Sequence, residues 1–193
     1  MNAPVRYTPR FTIGEFLAWA EKQPDGRWEL VDGEIVAMAP ERVLHIQVKG
    51  SVFRALEDAV RAAGLSCTVF MDGVGVATAD ATVRIPDASV QCGASADPDA
   101  MLIEPIIVVE VTSPTSVRTD EDDKLLEYFS VPSIEHYLVV HPKQRAVVHH
   151  SRQGSGEIRT RILRDGVIDL APPGLSVAVD ALLGPPPVAR SSA

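Results

Sequence analysis

The chain has 193 residues, 46% hydrophobic and 23% charged, a balance that suits a globular domain with a sizeable core. Its formal net charge of −8 excludes a broadly basic surface, so any hold on nucleic acid needs a local patch, metal ions or a dimer that gathers the few basic residues. No apolar run reaches the roughly 18 residues of a membrane span, and Met1-Asn2-Ala3-Pro4-Val5-Arg6-Tyr7 lacks a signal-peptide core, so a cytoplasmic location is expected.

Thr12 is placed to cap a short amphipathic helix that puts Phe16, Trp19 and Ala20 on one face and ends at Pro24-Asp25-Gly26. Two strand-like runs, 28–31 and 34–38, flank Asp32-Gly33, a strong hairpin signal. From 43 to 63, Leu44, Val48, Val52, Leu56, Ala59 and Ala63 recur at helical spacing, and Gly64 stops the helix. Strands are predicted at 66–71, 74–78 and 84–92, with Asp72-Gly73 as a turn.

The run 106–111 is apolar except at Glu110 and reads as a central strand buried on both faces. Thr119 is a candidate cap for a helix with an acidic first turn, ending near Ser130-Val131-Pro132. A buried strand at 134–140 precedes a hairpin of 146–151 with 157–163. Residues 1–184 read as a single domain, and 185–193, opening on Pro185-Pro186-Pro187, as a disordered tail. This order of elements describes an α/β or α+β fold, a mixed sheet flanked by helices.

Within that frame, four residues concentrate the chemistry. Glu110 is the hardest to explain structurally, because a carboxylate in an apolar strand costs several kcal/mol (roughly 3–5) unless it is paired or metal-bound. Asp87 follows Pro86 at the start of a strand, where a Pro-Asp pair can equally be a plain turn. Lys124 shares a helical stripe with Asp120 and Tyr128, either as an ordinary ion pair with Asp120 or as part of a site, while Leu125 and Phe129 form the neighbouring stripe that holds the helix on the sheet. Glu29 alternates with Trp28 and Leu30, so it points to solvent or into a site. Acids at neighbouring strand ends suit a Mg²⁺-dependent phosphodiesterase: the ion takes hard oxygen ligands, and a lysine steadies developing negative charge or the attacking water.

Trp28-Glu29-Leu30-Val31-Asp32-Gly33-Glu34, His45 at the head of the long helix, Arg84-Ile85-Pro86-Asp87, Val108-Val109-Glu110-Val111-Thr112-Ser113-Pro114, Arg118-Thr119-Asp120 with Lys124 and Tyr128, and His136-Tyr137-Leu138-Val139-Val140 occur in this order. In that order and spacing the chain resembles the Uma-type restriction endonuclease family of the PD-(D/E)XK nuclease superfamily, from about Trp28 to Pro142 and weakly on to Ser176. The resemblance implies a restriction-endonuclease-like fold and cleavage of DNA as a homodimer. It implies Mg²⁺, with Mn²⁺ as a substitute, held by Asp87 and Glu110 with Glu29 completing the shell. The superfamily lysine normally lies two residues after the second acid; here that position is Thr112, and Lys124 on the following helix takes its place. His141 stands where an aspartate is more typical, and no role attaches to it.

Two other readings stand beside this one: a nuclease-like scaffold that binds a protein or nucleic acid without cutting, and a hydrolase of another phosphate ester. His45 reads as surface or packing twice as readily as it reads as part of the site. His149 and His150 point to opposite faces of one strand and cannot share a metal. Gly154-Ser155-Gly156 is a hairpin turn rather than a nucleophile elbow, and Gly73-Val74-Gly75 has no following helix to form a phosphate loop. Cys67 and Cys92 give neither a disulfide framework nor metal-ligand spacing and read as small core residues.

Overall fold

The computed structural model describes residues 10–93, 97–112 and 118–186, with the backbone alone for 118–121. The expectations for the N-terminal residues 1–7, the cap at Thr119, the Asp120–Lys124 pair and the tail from 187 onward lie outside the described residues.

Helix α1 (Ile13–Ala20) starts at a capping box in which Thr12 and Glu15 satisfy each other's backbone N–H groups. Strands β1 (Trp28–Val31) and β2 (Glu34–Ala37) pair through Asp32 and Gly33, both at positive φ, the backbone a two-residue hairpin needs. Helix α2 (Val43–Ala63) has the predicted bounds, and Gly64 closes it in the left-handed conformation.

The predicted strand 84–92 is in fact two strands in different sheets. β4 (Val76–Ala79) and β5 (Thr82–Arg84) join the hairpin in a four-stranded sheet of order β2-β1-β5-β4. β6 (Ala88–Cys92) joins β3 (Cys67–Met71) in the six-stranded sheet. Pro86, with no N–H to offer a ladder, falls at the crossing and leaves Asp87 on the seam between the sheets.

The large sheet runs β10-β9-β8-β7-β6-β3 and is mixed: β7 (Ile107–Val111) is parallel to β8 (His136–His141), and all other pairings are antiparallel. β9 (Ala146–Arg152) and β10 (Ile158–Leu163) form the terminal hairpin of this sheet. One face carries α2, whose Val48, Val52, Leu56 and Ala59 pack with Ile107, Val109, Val111 and Leu138. The other carries α3 (Arg118–Ser130), with Tyr128 buried against Val108, Tyr137 and Val139, and Leu125 and Phe129 beside it.

A second hairpin, β11 (Val167–Leu170) with β12 (Leu175–Ala178), and the short α4 (Val179–Leu183) extend the α2 layer. Their alternating patterns, with Ile168, Leu170, Leu175 and Val177 inward, escaped the sequence reading. Cys67 and Cys92, read as independent core residues, face each other across β3 and β6 and are joined in a disulfide. Strand registry makes the bond, because directly opposed positions bring two Cβ atoms within reach of each other.

Candidate active site

Asp87 and Glu110 flank one register. Ala88 pairs with Val109, so Asp87 precedes that pair on one strand and Glu110 follows it on the other. The two carboxylates lie at the same end of adjacent central strands of the large sheet, yet each addresses a different helix.

Asp87 turns to α2 and is 4% exposed. Its Oδ2 accepts the Val111 N–H at 2.7 Å, and its Oδ1 lies 3.3 Å from His45 Nε2 and 3.1 Å from Lys49 Nζ. Burial alone would raise its pKa, but the His45 hydrogen bond and the Lys49 charge overcome this and hold the carboxyl below its usual range. His45 therefore belongs to the site, against the packing reading. It and Lys49 are one turn apart on a single stripe of α2.

Lys49 is a group the sequence reading missed. Only 2% exposed, its ammonium also reaches Glu41 Oε1 at 2.7 Å and Asp72 Oδ1 at 2.5 Å. Arg27 bonds the same Glu41 and Asp72, closing a network of three carboxylates and two fixed cations. The available signal was a lysine beside Val48 on a stripe that otherwise buries apolar residues.

Glu110 turns to α3. Its Oε1 accepts Lys124 Nζ at 3.0 Å and Tyr128 O–H at 2.7 Å. The lysine proposed from its place on the following helix thus meets the second acid and is not a solvated face. Burial pushes the Glu110 carboxyl up to about 7; Lys124 opposes the shift, and the charges of Asp87 and Glu29 add to it.

Glu29 is 7% exposed, which overturns its solvent-facing reading. Its Oε1 accepts the Ile85 N–H at 3.0 Å, and its Oε2 accepts Arg84 Nη1 at 3.1 Å. Arg84 also clasps Glu127 of α3 at 2.5 and 2.8 Å. Glu29 therefore braces the segment leading to Asp87, and its charge is felt at Glu110. His141 Nδ1 lies 3.2 Å from Thr112 Oγ1, so the position of the usual superfamily lysine is taken up by a hydroxyl–imidazole contact.

Among the described residues, Glu41, His45 and Asp87 bring one ligand atom each to within 4.8 Å of one another. Two carboxylate oxygens and an imidazole form a donor set for a divalent ion, the oxygens suiting Mg²⁺ or Mn²⁺ and the imidazole a transition ion. Lys49 is bonded to two of these residues, so an arriving cation meets a place partly neutralised already.

A separate titratable pair lies deeper in the sheet. His136 Nδ1 and His149 Nε2 are 3.0 Å apart, and His136 Nε2 donates to the Pro172 carbonyl at 2.9 Å. Burial and the neighbouring His136 lower the His149 pKa to about 4. His149 is buried while His150 on the opposite face bonds Thr160, so the two do not share a site, as their adjacency required.

Residues 13–180 match the family described as "Uma2: Putative restriction endonuclease". A protein of Synechocystis sp. (strain PCC 6803), described as uncharacterized, is 26% identical over 193 residues, covering 94% of this chain and 95% of that one. The crystal structure of a protein from Anabaena variabilis, described as a putative nuclease belonging to DUF820, superposes with a TM-score of 0.70 at 17% identity. That match covers 90% of this chain and 97% of the other, and at this identity it speaks for the fold. With the family match spanning nearly the whole described fold, the chain belongs to the Uma2 family of restriction-endonuclease-like proteins.

Proposed function

We propose that this protein is a Mg²⁺-dependent DNA endonuclease that hydrolyses phosphodiester bonds. The observation carrying this reading is the placement of Asp87 and Glu110 next to the Ala88–Val109 pair of adjacent strands, with Lys124 returned from α3 onto Glu110. Asp87 and Glu110 are the proposed holders of the metal, with Glu29 completing the shell directly or through water and Glu41 and His45 converging on Asp87. A bound Mg²⁺ or Mn²⁺ would supply Lewis-acid polarisation of the phosphate and of water.

The remaining work falls to the side chains. Lys124 and Tyr128 fix the direction of the Glu110 carboxylate, and Lys124 stands ready to offset charge that builds on the phosphoryl oxygens. Glu110, with a pKa near neutrality, can hold or release a proton at its carboxyl oxygen. The Val111 N–H and His45 keep Asp87 ionised and oriented. DNA is the proposed substrate and a second copy of the chain the proposed partner, since pairing gathers the basic residues that a net charge of −8 leaves scarce. We place the reaction in the cytoplasm, a compartment in which the Cys67–Cys92 disulfide is exposed to reduction.

The test is nicking of supercoiled plasmid in Mg²⁺ and in Mn²⁺ by wild type and by Asp87→Ala, Glu110→Ala and Lys124→Ala. Each substitution is expected to reduce the rate on the order of 100-fold or more. The second reading, a scaffold that binds without cutting, is favoured by Lys49, which already neutralises the acids a metal would need. Folded wild type that cuts nothing across metals and salts would decide for the scaffold.

A further inference from the structure

Beside Asp87 lies a cavity of about 210 Å³ lined by Arg42, Leu44, His45, Thr112, Pro142, Lys143 and Gln144. That is below the roughly 300 Å³ at which pockets for whole small-molecule ligands begin, so it suits a chemical group rather than a free metabolite. Among the described residues no carboxylate lines it. In a chain of net charge −8, a recess with two cationic side chains, a hydroxyl and an amide is a local reversal of sign.

The cavity is continuous with the candidate site. Thr112 directly follows Val111, whose N–H holds Asp87 Oδ2 at 2.7 Å. His45 presents Nε2 to Asp87, and its other ring nitrogen, Nδ1, is buried with no hydrogen-bond partner among the described residues. Arg42 is the N-cap residue of the 21-residue α2 and makes no side-chain cap, and the first turn of the helix carries no acid, so this positive helix end is open toward an anion.

We propose that this cavity seats a backbone phosphate of the DNA substrate next to the one cleaved at Asp87 and Glu110. Arg42 and Lys143 supply the charge, while Thr112 and Gln144 supply neutral hydrogen-bonding groups. An adjacent phosphate held here fixes the strand relative to the carboxylates, a positioning role in the reaction. The inference rests on the nuclease reading for its ligand, and its test is binding rather than cleavage.

The experiment is fluorescence anisotropy of a short duplex DNA in Ca²⁺ buffer over a series of salt concentrations. Wild type is compared with the double variant Arg42→Ala/Lys143→Ala, both residues being exposed and without ion pairs among the described residues. The expected result is a loss of affinity of about tenfold or more and a fall of about 1 in the salt-dependence slope, for the single phosphate no longer neutralised. Arg159→Ala/Arg161→Ala on β10 makes the same charge change away from the cavity and is expected to leave both quantities near wild type. An unchanged slope in Arg42→Ala/Lys143→Ala, an equal loss in the β10 variant, or no binding of the duplex by wild type would each overturn the proposal. Binding lost only in the cavity variant, with no nicking by wild type, would uphold the phosphate seat and reject the nuclease.

Discussion

Asp87 meets the α2 layer, where Lys49, His45 and the Val111 N–H converge on it, whereas Glu110 meets the α3 layer, where one lysine and one phenol share a single oxygen. Asp87 is buried and Glu110 half-buried at the same end of two adjacent central strands, but the first is held below its usual range and the second is pushed up to about 7. The difference teaches that neighbouring acids acquire distinct charge behaviour from the layer each faces: one is held ionised, the other titrates near neutrality.

The largest expected effect comes from removing what makes Asp87 different. Lys49→Ala leaves Glu41, Asp72 and Asp87 without their buried ammonium and is expected to cost about 3–5 kcal/mol in urea unfolding. Added Mg²⁺ or Mn²⁺ should recover part of that loss, since a divalent ion can take over the neutralisation. An unchanged unfolding midpoint would mean that the α2 side holds Asp87 no more firmly than the α3 side holds Glu110.

Next in size is a pH effect. The Glu110 pKa is raised from 4.5 to about 7, so its contribution to stability is fully present below 4.5 and lost as pH rises through 7. The stability of wild type minus that of Glu110→Gln should therefore fall by roughly 3 kcal/mol between those limits and stay flat above them. His149 acts in the opposite sense. Its pKa is lowered from 6.5 to about 4, so the fold loses stability as pH falls through that window, and this slope should stand out once Glu110→Gln removes the opposing one. Denaturation curves at several pH values read both signs, and a flat difference between wild type and variant would refute the assignment.

The smallest effect sharpens the comparison from the α3 side. Tyr128→Phe deletes one hydrogen bond to Glu110 and should cost about 1 kcal/mol. That bond favours the ionised carboxylate, so its loss should move the Glu110 midpoint above 7, measurable by carbon-detected NMR titration. A midpoint that moves down would show that the phenol does not stabilise the ionised form.

What could be read from the sequence was local. The Asp32-Gly33 turn, the stripe of α2 and its stop at Gly64 are each decided by residues within a few positions of one another. Asp87, Glu110 and Lys124 were legible as candidates because each breaks a local pattern. The division of 84–92 at Pro86 was not, because only pairing partners far along the chain show that Arg84 and Ala88 enter different sheets. Lys49 stayed hidden, and His45 weighed toward packing, for the same reason: the carboxylates that draw them into the site include Asp72 and Asp87, far from α2 along the chain. The disulfide likewise depends on the β3–β6 register, which joins positions 25 apart.

The Arg84 clasp, with Glu29 on one side and Glu127 on the other, has a consequence for anyone shortening this chain. The stretch before α2 has the outline of an appendage, a helix and a hairpin on a separate small sheet. Trimming it would strand a buried guanidinium beside Glu127 and release the Ile85 N–H that Glu29 holds, two residues from Asp87. The smallest piece that keeps Asp87 and Glu110 in place therefore begins ahead of Glu29, and its N-terminal hairpin is scaffolding for a carboxylate on another sheet.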